Sequence, residues 1–113
     1  MTTRHDLDDS LFSVTLCLVG SHGVLFAAGD LTRYSAPALA AQIDQLSSTP
    51  DLDVIFDATD LRTLDATGVR LLLAIDRQVR SRGFRFTVRG AGGAVADVLV
   101  RTPLDVEALS LAA

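Results

Sequence analysis

The sequence predicts an α/β fold: a mixed β-sheet with helices packed on it. The order is β-β-α-β-α-β-α, with the tail open between a short strand and a short helix. Three observations predict it. Residues 12–18 alternate apolar and polar, the mark of a strand with one buried face. Val54-Ile55-Phe56 is an unbroken apolar run, and a long segment with apolar residues at helical spacing follows it. Clusters of Gly, Pro and Ser punctuate the chain between these segments. Alternation of this kind gives one sheet with right-handed crossovers.

Each element has its own reason. Met1 to Asp9 is polar and acidic, so residues 1–11 read as a frayed leader and 12–113 as a single domain. Phe12, Val14, Leu16 and Leu18 alternate with Ser13, Thr15 and Cys17 in the first strand. Gly20-Ser21-His22-Gly23 is a turn, and Val24 to Ala28 closes a hairpin. Gly29-Asp30-Leu31-Thr32 reads as a loop. Ser35 reads as an N-cap, with Pro37 in the first turn. Leu39, Ile43 and Leu46 lay one stripe of this helix on the sheet. Ser47-Ser48-Thr49-Pro50 stops it.

Leu52 to Ala58 is the third strand. Its apolar run suggests burial on both faces. The second helix runs from about Thr67 to Arg82, with Gly68, Leu72, Ile75 and Val79 on one face and Arg70, Arg77 and Arg80 on another. Gly83 ends it. Phe84, Phe86 and Val88 alternate with Arg85, Thr87 and Arg89 in a fourth strand. A third helix, about Gly93 to Arg101, buries Val95, Val98 and Leu99, and Thr102-Pro103 ends it.

Composition narrows the function. The 113 residues carry a net charge of −4, which disfavours nucleic acid. The charge is uneven. Residues 1–69 hold three Arg against ten Asp/Glu, and residues 70–113 hold seven Arg against four. Arg70, Arg77, Arg80, Arg82, Arg85 and Arg89 crowd one region. They form either a solvated face or a patch that meets an acidic partner surface. No apolar run approaches the roughly 20 residues that cross a membrane. The single cysteine, Cys17, excludes an internal disulfide and fits a reducing, cytoplasmic setting.

No enzyme constellation stands out. His5 and His22 accompany no nucleophile and read as surface residues. Asp57, Asp60 and Asp65 cluster around the loop leading into Thr67, with capping or turn roles for Asp60 and Asp65. Gly90-Ala91-Gly92-Gly93-Ala94 opens a helix but misses the dinucleotide spacing, because the third glycine would fall at Val95. No cofactor or metal is implied. Thr67 differs by position: a hydroxyl where a buried strand hands over to a helix. Helix starts expose unpaired backbone N–H groups and partial positive charge, and they tolerate a phosphate. Two readings stay open. The Thr67 hydroxyl or the Asp65 carboxylate caps the helix, or Thr67 is a phosphorylation switch on a binding domain. Gly68, with no side chain, would let an enzyme or partner backbone approach.

These residues resemble the STAS domain, the fold of bacterial anti-sigma factor antagonists, over about residues 12–104. Leu64-Asp65-Ala66-Thr67-Gly68-Val69 resembles the family's Asp-Ser-Ser/Thr-Gly-Leu motif at the start of the second helix. Gly29-Asp30-Leu31 resembles its Gly-Glu/Asp-Leu ahead of the first helix. The element order and Thr102-Pro103-Leu104 agree. The resemblance implies a phosphoacceptor at Thr67. It implies a partner-binding loop of Asp30, Thr32, Arg33 and Tyr34, and a partner-binding helix start of Asp65, Ala66, Gly68, Val69 and Arg70. The implied partner is an anti-sigma factor with a histidine-kinase-like ATPase domain. The unphosphorylated protein, a monomer or weak homodimer, binds it and frees a sigma factor; the phosphorylated form lets go. Ala66 stands where the first hydroxyl often stands, and Thr32 where the family commonly has Asp. Threonine at position 67 also resembles STAS subunits of stress-signalling scaffolds and lipid-transport ATPases. The alternative is therefore a non-phosphorylated subunit that stabilises such an assembly.

Overall fold

A computed structural model describes residues 2–7, 12–47 and 52–106, with side chains described from Phe12 onward except at 45–47. The elements are β1 (Thr2–Leu7), β2 (Phe12–Val19), β3 (His22–Leu31), α1 (Ala36–Ser47), β4 (Asp53–Leu64), α2 (Ala66–Ser81), β5 (Phe86–Arg89), α3 (Gly93–Leu99) and β6 (Asp105–Val106). All six strands form one sheet in sequence order. β1, β2 and β3 pair antiparallel, and β3 to β6 pair parallel. It is the mixed sheet with packed helices that the sequence predicts.

The parallel strands advance across the sheet in one direction. Right-handed crossovers then put α1, α2 and α3 on the same face. Burial follows. Phe12, Val14 and Leu16 of β2, Val54, Phe56 and Ala58 of β4, and Phe86 and Val88 of β5 face the core, while their neighbours are half-buried or exposed. Leu39 and Ile43 of α1, Leu72 and Ile75 of α2, and Val95 and Leu99 of α3 close the same core. Leu46, third in the α1 stripe, lies outside the described side chains.

Four sequence expectations need correction. The polar leader is not frayed over its length, because Thr2–Leu7 forms β1 on the edge of the sheet, from Thr2 opposite Cys17 to Leu7 opposite Phe12. An edge strand draws its hydrogen bonds from one neighbour's backbone and tolerates polar side chains, so no apolar alternation announces it. Gly29-Asp30-Leu31 is not a loop but the end of β3. There Gly29 (φ 95) accompanies a register shift against β4. β4 does not stop at Ala58; it runs to Leu64. Its centre is not buried on both faces either. Ile55 is only half-buried, because none of the described helices covers the second face.

Other boundaries hold more closely. Val19 pairs with His22, so a two-residue turn at Gly20-Ser21 joins β2 to β3, with Gly20 at φ 59. Asp105–Val106 settles the start of the tail as a strand beside β5. Leu109 and the rest of 107–113 lie outside the described residues.

Candidate functional site

One residue, Asp65, separates β4 from α2. Its backbone is extended (φ −100, ψ −179), as an N-cap requires. Its Oδ1 accepts a hydrogen bond from Gly68 N at 2.9 Å, and Oδ2 accepts one from Arg33 N at 3.1 Å. Its own N–H donates to Leu31 O at 3.2 Å. Asp65 therefore stitches the start of α2 to the loop after β3. Parallel pairing makes this geometric, since Leu31 stands opposite Leu64 and both strands end at one edge. The two sequence motifs thus meet in space.

The β3–α1 loop is organised from within. Ser35 is buried and turns away from its own helix: Oγ donates to Asp30 O at 2.6 Å and accepts from Thr32 N at 2.9 Å. The hydroxyl read as a helix cap is a loop clasp instead. Thr32 Oγ1 accepts from Tyr34 N at 3.2 Å. The Asp30 carboxylate is held by Thr63 Oγ1 at 2.9 Å and Arg62 Nη2 at 3.3 Å. Arg33 and Tyr34 are left outside. The guanidinium lies 4.8 Å from the ring centroid, and Tyr34 is 71% exposed.

On α2, Ala66 and Arg70 are exposed, Thr67 and Val69 half-buried, and Gly68 buried. Because Asp65 supplies the cap, the Thr67 hydroxyl is not used by the fold, and it makes no hydrogen bond among the described residues. It sits in the first turn, where the backbone amides of Ala66 and Thr67 have no helical carbonyl to bond. Gly68 corrects the sequence reading. A Cβ there would stand 2.8 Å from Leu31 O and 2.7 Å from Leu64 Cδ1. Its bare α-carbon lets α2 seat on the ends of β3 and β4; it does not serve an approach from outside.

The sheet face opposite the described helices carries a constellation that the sequence reading missed. Arg89 Nε bonds Asp57 Oδ2 at 2.9 Å, Thr59 N bonds Asp57 Oδ1 at 2.9 Å, and the Arg89 guanidinium lies 5.9 Å from the Phe26 ring centroid. Burial pushes the Asp57 carboxyl up. The Thr59 hydrogen bonds, with the bond and charge of Arg89, outweigh that and hold it below its ordinary value. The signal was available: Phe26 and Asp57 fall on the outward parity of β3 and β4. His22 is exposed at the opposite end of β3 from Thr67, in a shallow pocket where Arg85 and Asp105 already pair. His5 lies outside the described side chains. Among the described residues no His/Cys/Asp/Glu group could hold a metal, and no helix is long and apolar enough to cross a membrane.

The family model described as Mlab, STAS domain matches residues 14–111. The chain belongs to the STAS domain family. Among curated proteins none matches its sequence. Solved structures share the STAS fold. An anti-sigma factor antagonist from Mycobacterium paratuberculosis superposes with a TM-score of 0.69 at 18% identity, covering 87% of this chain and 88% of that one. A variant of RsbS from Moorella thermoacetica gives 0.68 at 18% identity, covering 83% and 85%. The anti-sigma factor antagonist SpoIIAA, unphosphorylated, gives 0.67 at 19% identity, covering 83% and 87%.

Proposed function

We propose that this STAS protein is an anti-sigma factor antagonist switched by phosphorylation at Thr67. The unphosphorylated chain binds an anti-sigma factor that is also a serine/threonine kinase with a histidine-kinase-like ATPase domain, and a sigma factor is freed. The modified chain lets go. One observation carries the reading: Asp65 does the capping, so the half-buried Thr67 hydroxyl stands at a helix start with no role in holding the fold. The setting is cytoplasmic, and the protein acts as a monomer or weak homodimer without cofactor.

The physics needs no backbone rearrangement. Phosphorylation adds close to two negative charges at pH 7. The helix start offsets this within the domain by about 0.3–1 kcal/mol. A dianion about 6 Å from Asp65 is repelled by roughly 1.4 kcal/mol in water and about 5.5 at an effective dielectric of 20. Burying it unpaired against a partner adds desolvation. A loss of about 3–4 kcal/mol lowers affinity by two to three orders of magnitude. The test is incubation with ATP and each purified anti-sigma factor kinase of the source organism, followed by peptide mass spectrometry. One phosphate on the Thr67 peptide supports the switch; modification elsewhere, or none from any kinase, removes it.

A second reading draws on the Mlab description of the matching family model and on threonine at position 67. Here the chain is a non-phosphorylated subunit that stabilises an ATPase, lipid-transport or stress-signalling assembly, and Thr67 makes a neutral interface hydrogen bond. The two readings differ in sign. Thr67→Ala keeps binding in the first and weakens it in the second.

A further inference from the structure

The arginine-rich region of the sequence divides in the structure. Arg80 pairs with Asp76 at 2.8 Å, Arg85 with Asp105 at 3.2 Å, and Arg89 with Asp57 at 2.9 Å. Arg82 is also engaged. Arg70 and Arg77 are exposed and form no ion pair or hydrogen bond among the described residues. The only carboxylate on α2, Asp76, is taken by Arg80.

Helical geometry aligns the two. At 3.6 residues per turn, Ala66, Arg70, Ala74 and Arg77 fall within an arc of about 80° and make one straight strip. All four are exposed. The two guanidinium stems are about 10 Å apart along the axis, with an alanine between them. The strip begins at the residue before Thr67. Across the Asp65 hinge, the exposed Arg33–Tyr34 pair adds a third cation, whose guanidinium lies by the Tyr34 ring and donates to its hydroxyl at 2.6 Å rather than to a carboxylate.

We infer that this strip of α2 is a docking ridge for an acidic protein surface, with Arg70 and Arg77 each receiving a carboxylate. Two exposed cations in line, with no carboxylate beside them among the described residues, make a locally positive strip that complements an acidic surface. The alanines let a partner helix or strand come close to the α2 backbone, and arginine forks receive carboxylates bidentately. The other anionic partners fit less well. A duplex nucleic acid is held by many phosphate contacts, and the strip offers two cations. A membrane would find no large apolar anchor between the arginines. Naming the acidic partner as the anti-sigma factor rests on the proposed function; the chemistry of the ridge does not.

Two measurements separate these dependencies. The full ¹⁵N-labelled chain is titrated with an alanine-based helical peptide carrying two glutamates at the spacing of Arg70 and Arg77, and with its glutamine counterpart. Shifts centred on Arg70, Ala74 and Arg77 that grow with peptide concentration into the millimolar range, seen with the glutamate peptide only and lost at about 1 M salt, are expected. Equal shifts with both peptides, or shifts spread over the surface, overturn the ridge. In the second measurement the Arg70→Glu/Arg77→Glu chain, checked for folding by circular dichroism, meets the anti-sigma factor that binds wild type. About a tenfold or greater loss is expected, with Arg101→Glu unchanged. Unchanged affinity overturns the ridge while the switch stands. Peptide shifts on the strip with no anti-sigma factor binding overturn the switch while the ridge stands. Co-sedimentation with phosphatidylglycerol vesicles or a shift of duplex DNA, abolished by the double variant, overturns the protein occupant.

Discussion

At Asp65 one carboxylate does two jobs, and one substitution tests both. Asp65→Ala removes the bond to Gly68 N and the bond to Arg33 N together. The expected cost is about 1–2 kcal/mol in urea denaturation, with Asp65→Asn losing less because asparagine also caps. At Gly68 two effects oppose. Alanine gains about 1 kcal/mol of helix propensity over glycine. The new methyl, however, would meet the Leu31 carbonyl at 2.8 Å, and such overpacking costs about 1–3 kcal/mol. Gly68→Ala is therefore expected to lower the thermal midpoint, where propensity alone would raise it. Thr67→Ala is expected to leave stability unchanged within about 0.5 kcal/mol, because its hydroxyl holds nothing in the fold. At this scale the sequence made the site legible but not its division of labour. The capping residue could have been Thr67 or Asp65, and only the path of the Asp65 side chain decides. Gly68 looked available to a partner because nothing in a sequence shows that Leu31 lies underneath it.

The elements explain why the site has the shape it has. The sequence places the end of β4 at Ala58, since Thr59, Asp60, Arg62 and Thr63 look like loop residues. In the structure it continues beside β3 through Leu61 opposite Gly29 and Leu64 opposite Leu31. Register shifts stretch the inward spacing from two residues to three at Ala58, Leu61 and Leu64, all buried, so the period that identifies a strand is lost at that point. β1 escaped notice for a different reason: its pairing is a backbone matter. α1, α2 and α3, by contrast, are close to their expected positions, because apolar periodicity and flanking Gly and Pro residues marked them. The result is a site built on the rigid ends of two adjacent parallel strands, with a single residue between β4 and α2. Insertion of one glycine between Leu64 and Asp65 should part Asp65 Oδ2 from Arg33 N. Amide exchange at Arg33 would then rise to the rate of an open loop. Exchange there as slow as in wild type would show that the loop holds itself.

At the largest scale, the decisive feature is a sheet whose described helices all pack on one face. The open face is held by pairs such as Asp57–Arg89, which makes stability depend on pH in a definite sense. The Asp57 carboxyl lies below its ordinary value of 3.8 in the folded chain. A group of that kind stabilises above its unfolded pKa, and the contribution disappears as pH falls through the folded value. Asp57→Asn is expected to cost about 1 kcal/mol at pH 7, as partly exposed pairs do, and to converge with wild type in denaturation once pH has fallen well below the folded value. A deficit that persists there would assign the loss to packing. The covered face, in turn, fixes α2 with its first turn outward, so charge placed at Thr67 is felt by whatever docks and little by the core. The most direct measurement is titration calorimetry of the anti-sigma factor kinase against wild type, Thr67→Ala and the Thr67-phosphorylated chain. Wild type and Thr67→Ala should bind alike, and the phosphorylated chain at least about a hundredfold more weakly. A Thr67→Ala chain that binds much less tightly than wild type, or a phosphorylated chain that binds as well, would contradict the account.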